Sequence, residues 1–243
     1  MVLAQKQPEE SVSRVAGQVS PKEDIIKLSK VSKEVAKGAV EFSEREVKLR
    51  NGGSAKLQSI KIREMVLYHG ATMSGIKELK EAEDTTMGDG LYLTSSKKAA
   101  TGYSFVRALK DEKHILYETR IENMDILNLS TPGSVREFMK FYVEVLSDEL
   151  KTLDSSRWAV RENYSRTQDK IYKALQEGRI LNPKEMLQYT GATARNRLMK
   201  LGYDGIFAIE GGEGNVGDHD SFVIFDPKRV KVVEEREVTK EMV

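Results

Sequence analysis

An α+β fold follows from the order of three patterns. Short β-prone runs come first, between Met65 and Ile121, then helical periodicity from Ser134 to Lys200, then β-prone runs again from Ile206 to Phe225. Strands, a block of helices and strands again is an α+β plan, not a regular βαβ alternation. At 243 residues the chain can bury one good core with an extra helical piece beside it.

Each element has its own signal. Residues 1–20 are polar and aperiodic, and are expected to be mobile. Ser20-Pro21-Lys22-Glu23 reads as a helix start, with serine as cap, proline first and glutamate three after the serine. Ile25, Leu28, Val31, Val35 and Ala39 then keep spacings of three and four, which predicts a helix over roughly 20–50 that packs on the main domain or binds a partner. Asn51-Gly52-Gly53-Ser54 ends it. Met65–Tyr68 and Leu91–Thr94 read as strands, and Ser95 or Ser96 caps a helix through Ala99, Ala100 and Tyr103 to Leu109. His114–Ile121 alternates as a strand does.

Helices are predicted over 134–150, on Val135, Phe138, Met139, Tyr142, Val145 and Leu146, over 156–177, and from Asn182-Pro183-Lys184-Glu185 to about Lys200. Gly202-Tyr203-Asp204-Gly205 turns into a strand Ile206–Ile209. A glycine-rich loop, 211–217, leads to the strand Phe222–Phe225, which Pro227 stops, and Arg229–Glu235 adds one more. The expected organisation is therefore a first unit, 1–60, of mobile segment plus helix, and a main domain, 61–236, with a helical insertion at about 133–200.

Composition removes several chemistries. No cysteine is present, which excludes disulfides, thiolate metal sites and thiol nucleophiles. Three histidines, His69, His114 and His219, are too few for a His-rich zinc centre, so no metal is expected. No apolar run approaches the ~18 residues of a membrane helix, and Met1–Lys6 lacks the apolar core of a signal peptide. A cytoplasmic protein with no membrane partner is expected. The net charge of +1 makes no general nucleic-acid glue, yet 151–200 holds eleven Lys/Arg against five Asp/Glu, with Trp158, Tyr164 and Tyr172 interleaved. Such a stretch is either a solvated helical face or a track for a phosphate backbone.

The glycines at 211–214 do not make a phosphate loop, because the Lys-Ser/Thr is missing and a strand follows. No Gly-x-Ser-x-Gly elbow occurs either. What remains is a spaced set: Tyr68-His69-Gly70, then Gly90-Leu91-Tyr92-Leu93, then Tyr103, then Asp220-Ser221-Phe222-Val223-Ile224-Phe225-Asp226-Pro227. Singly, each of these is by default a packed core residue.

Together they resemble the ADP-ribosyltransferase superfamily, in its diphtheria-toxin and poly(ADP-ribose) polymerase branch with a His-Tyr-Glu signature. Ile115–Asn123, Gly202–Ile206 and Asp220–Lys231 are similar to the ADP-ribosyltransferase domains of phage and mobile-element polyvalent proteins. The likeness spans roughly 62–132 and 198–232. It implies a split antiparallel β-sheet core and NAD⁺ as substrate. It also implies transfer of ADP-ribose to a macromolecular acceptor, protein or nucleic acid, by a toxin or phage effector in a bacterial host cytoplasm.

By that resemblance His69 bonds the adenosine-side ribose and Gly70, with Ala71 beside it, clamps the nicotinamide amide through backbone atoms. Tyr92 lines the nicotinamide and Tyr103 stacks on it. The small hydroxyl expected three before Tyr103 is Ala100 here, with Thr101 next to it. At the third motif Ser221 stands where polymerase-type members keep a catalytic glutamate. Either Asp220 supplies the charge from a shifted register, or Ser221 only orients the ribose. Without the glutamate, chain-extending synthesis is not expected. The expectation is a mono-ADP-ribosyltransferase, and the alternative a silent NAD⁺ or ADP-ribose binding module.

Overall fold

The computed structural model describes residues 40–80, 87, 89–107, 112–210 and 218–239. Among them, β1 (Val40–Lys48) and β2 (Ser54–Ala71) form an antiparallel hairpin. Its turn is Asn51-Gly52, with Gly52 at φ 83° and the Leu49 amide bonded to the Gly53 carbonyl at 2.9 Å. Asn-Gly is a strong hairpin signal because both residues tolerate positive φ. The same dipeptide had suggested a helix end, so the helix expected over 20–50 is corrected from Val40 onward: 40–48 is a strand. The rest of that helix and the 211–217 loop lie outside the described residues.

The remaining strands are β3 (Leu91–Leu93), β4 (Ile115–Asn128), β5 (Gly205–Glu210), β6 (His219–Ile224) and β7 (Val230–Glu237). The order is β1-β2-β4-β5-β6-β3, with β7 also on β4. All pairs are antiparallel except β4 with β5. β4 serves two neighbours along one edge: residues 115–121 pair with β7 and 126–128 with β5. Asn123, at φ 52°, marks the division, and Arg229 bonds its carbonyl at 2.7 Å. Beyond β3, Thr94 bridges back to Tyr68 of β2. The mostly antiparallel sheet is thus split at β4 and curls until its far strand meets β2.

That curl explains two cores. Ile60, Ile62, Leu67, Leu91, Leu93, Ile115, Tyr117, Phe207, Phe222 and Ile224 fill an inner core built almost wholly from strands. On the other face Ala55, Leu57, Ile206, Ala208, Val223 and Phe225 pack on the helices. β2 takes part in both, burying Ala55 and Leu57 on one face and then Ile60 and Ile62 on the other.

Five α-helices lie among the described residues: α1 (Lys97–Arg107), α2 (Pro132–Thr152), α3 (Trp158–Gln176), α4 (Pro183–Leu187) and α5 (Gly191–Lys200). Thr131 and Ser134 close a capping box on α2, which buries the six residues its periodicity named. The single helix expected from 182 to 200 is two. Thr190 breaks it: its hydroxyl donates to the Met186 carbonyl at 2.6 Å, and its own carbonyl accepts from Tyr142 Oη at 2.7 Å. A β-branched residue followed by Gly191 gives the chain little reason to resist that pull. No helix of the described residues is long and apolar enough to cross a membrane.

Candidate active site

The first motif is set by the meeting of β2, β3 and α1. The Tyr68 amide donates to the Thr94 carbonyl at 2.7 Å, and the Thr94 amide returns the bond at 3.0 Å. This bridge is isolated, and the side chain of the next residue continues the connection: His69 Nδ1 lies 2.8 Å from the Tyr92 carbonyl. A carbonyl only accepts, so Nδ1 carries a proton and donates it. The half-buried imidazole is thereby held in one orientation.

Gly70 follows for a steric reason. A Cβ there would fall 1.9 Å from the Ala100 carbonyl oxygen and 3.0 Å from the Ser104 amide nitrogen. Only glycine lets the α1 backbone lie this close. Ala71 ends β2 opposite Ile115. Thr101 is buried in α1, where its carbonyl accepts the Ser104 hydroxyl at 2.7 Å. Tyr92 is half-buried, its ring against the helix-side core and its hydroxyl accepting the Met87 amide at 2.7 Å. Tyr103 reaches across from α1 and meets the His219 ring edge-on, with centroids 5.2 Å apart.

The β5–β6 hairpin decides the third motif. Its register pairs Ala208 with Ser221 and Glu210 with His219. Cross-strand partners share a face, so Ala208, Glu210, His219, Ser221 and Val223 lie together. Ser221 Oγ donates to Glu210 Oε2 at 2.5 Å and lies 3.4 Å from His219 Nε2. His219 lies before the strand expected at Phe222–Phe225, and in the structure it opens β6 and is buried.

Asp220 faces the other way. Its Oδ1 accepts the Thr94 hydroxyl at 2.7 Å and the Ser95 amide at 3.1 Å, and it is 2% exposed. That carboxylate holds the chain between β3 and α1, away from the face of Ser221. Of the expected positions, His69 meets Tyr92, while Tyr103 meets His219, which lies beside Ser221; Asp220 points to the opposite face of β6 from Ser221.

Glu210 and His219 complete the cluster, and neither was singled out as a partner of Ser221. The signal for Glu210 was present in the alternation Ala208-Ile209-Glu210 on a strand that hairpins with the third motif. His114 is accounted for by packing, with its ring 3.9 Å from Phe105 and Nδ1 3.1 Å from the Ser104 carbonyl. Among the described residues no cluster of three or more His, Asp or Glu is placed to hold a metal ion.

In the 151–200 segment Tyr164 is core, bonded to Thr193 at 2.6 Å, while Trp158 and Tyr172 are exposed. Several of its cations are paired: Arg166 with Glu162, Lys170 with Glu185, Lys173 with Glu177 and Arg197 with Glu149.

Residues 63–240 match the model of a family described as ADP-ribosyltransferase in polyvalent proteins. A solved structure, the M. tuberculosis MbcT–MbcA toxin–antitoxin complex, aligns over 75% of this chain and 88% of that one at 12% identity and a TM-score of 0.40. A likeness that distant carries no weight for function. No curated protein matches the sequence significantly.

Proposed function

The chain belongs to the family of ADP-ribosyltransferases in polyvalent proteins, and from that premise we propose that it is a mono-ADP-ribosyltransferase. NAD⁺ is the substrate. The bond from the ribose anomeric carbon to the nicotinamide nitrogen breaks, and its electron pair leaves with nicotinamide. A nucleophile on a macromolecule then bonds to that carbon and loses its proton.

One observation carries the reading: the 2.8 Å bond from His69 Nδ1 to the Tyr92 carbonyl, which ties the first motif to the second. With Nδ1 so engaged, Nε2 is the ring atom that would meet a ribose hydroxyl, from a ring already held in orientation. Tyr92 and Tyr103 supply apolar flanks for the nicotinamide ring. Gly70, with no side chain, admits the α1 backbone, and its own backbone is the clamp that the resemblance assigns to the carboxamide. Heterolysis builds positive charge on the ribose, so the third corner of the cleft must favour a cation.

The test uses the full chain with NAD⁺ labelled in its adenylate half, incubated with bacterial lysate. Label on protein or nucleic acid, together with nicotinamide release, is the expected result, and His69→Ala should abolish both. Protease and nuclease treatment of the product assigns the acceptor class. A second reading is favoured by Ser221 standing in the glutamate position: a silent NAD⁺ or ADP-ribose binding module. It predicts bound NAD⁺ with neither label nor nicotinamide.

A further inference from the structure

We propose that Glu210, on the strand next to the third motif, supplies the negative charge that faces the nicotinamide ribose. The inference rests on the NAD⁺ reading of the cleft. If the third corner must favour a cation, a serine at 221 cannot do this alone, and among the described residues the two aspartates just before it are placed otherwise. Asp220 is buried on the opposite face, bonded to Thr94 and Ser95. Asp218 is exposed.

Glu210 is different in placement. It sits directly opposite His219 and diagonally from Ser221, on the face they share. Ser221 Oγ–H donates to its Oε2 at 2.5 Å, which fixes where the carboxylate lies. His219 in turn meets Tyr103, the expected nicotinamide wall, at 5.2 Å. A carboxylate absent from position 221 is thus delivered beside it from β5. Ser221 is then a positioning residue: its hydroxyl donates to Glu210 and holds the charge beside the aromatic wall. During heterolysis Glu210 neither gains nor loses a bond. It stabilises the cationic ribose and can accept the proton that the acceptor nucleophile releases.

Steady-state nicotinamide release and NAD⁺ titration test this on the full chain. Glu210→Gln keeps the shape and still accepts from Ser221, so NAD⁺ affinity should change less than about threefold while turnover falls about 100-fold. Glu210→Ala should recover turnover when formate is added, which a merely structural role would not allow. The exchange Glu210→Ser with Ser221→Glu moves the carboxylate to the position that the resemblance assigns to a glutamate, and should outperform Glu210→Gln at least tenfold. Thermal melting identifies a variant that fails to fold, in which case the formate-dependent rate of Glu210→Ala decides. An active wild type with an equally active Glu210→Gln overturns this inference alone. A wild type that releases no nicotinamide overturns the transferase reading with it.

Discussion

Gly70→Ala should damage stability and chemistry through one displacement. The added Cβ would sit 1.9 Å from the Ala100 carbonyl oxygen, where ordinary contact begins at 3.4 Å. The α1 backbone must therefore retreat by about 1.5 Å, since neither atom belongs to a side chain that can rotate away. Overpacking of this kind costs about 1–3 kcal/mol, and a backbone clash belongs at the upper end. Lower unfolded-state entropy of alanine offsets about 0.5–1 kcal/mol of that. A net loss of about 2 kcal/mol lowers Tm by roughly 4–8 °C in a chain of this size.

The same retreat carries Tyr103 away from His219, and a 1 Å misplacement can cost about 100-fold in rate. Differential scanning calorimetry and nicotinamide release measure the two effects. Gly52→Ala is the control: φ is 83° but nothing lies within 4 Å of its Cβ, so only backbone strain of about 1 kcal/mol is felt, with turnover unchanged. A Gly70→Ala protein that melts within a degree of wild type and turns over normally would refute the idea that glycine is here to admit α1.

Three further outcomes follow from single contacts. Asp220→Ala strips the acceptor from the Thr94 hydroxyl and the Ser95 amide, and should lower stability by about 2–3 kcal/mol in urea titrations. Tyr142→Phe removes both bonds to Thr190 and should cost about 1–2 kcal/mol, with local opening between α4 and α5 visible by hydrogen exchange. Burial pushes the Tyr203 phenol up to about 12 and raises that of Tyr142 as well. The folded state then holds protons the unfolded chain gives up near pH 10, so this contribution is intact below about pH 10 and falls as pH rises towards 12. Tyr203→Phe should flatten that decline in unfolding curves taken at successive pH values.

Local patterns carried most of the fold. α2 was legible because Val135, Phe138, Tyr142 and Leu146 repeat at helical spacing and all are buried. The first half of the sheet was not, since Asn51-Gly52 serves equally as a helix end and a hairpin turn, and the alternation of β2 changes phase at Ser59-Ile60, where two consecutive residues are buried. The break at Thr190 depends on Tyr142, 48 residues away, and no window along the sequence contains both. The same limit applied to the site. His69, Gly70, Tyr92 and Tyr103 stand out in the sequence as the spaced motifs of the candidate site. Glu210 became visible only once β5 and β6 were paired in register.

That register is itself set by apolar residues rather than by the motif. Phe222 and Ile224 belong to the inner core, Val223 to the helix-side core, and β6 has no freedom to exchange them. A slip of one residue would move every side chain to the wrong face. The same alternation runs back to Ser221 and Asp220, so packing places the serine beside Glu210 and turns the aspartate towards Thr94. Adjacency in sequence therefore disqualifies Asp220 from the face of Ser221, while Glu210, eleven residues from Ser221, is within hydrogen-bonding distance of it. Asp220→Asn keeps the size of the side chain but can turn an amide N–H towards the Thr94 and Ser95 donors. It should lower Tm while leaving the turnover of the folded fraction within a few-fold of wild type, whereas Glu210→Gln should do the reverse. Opposite results in those two variants would mean that β6 presents its faces the other way round.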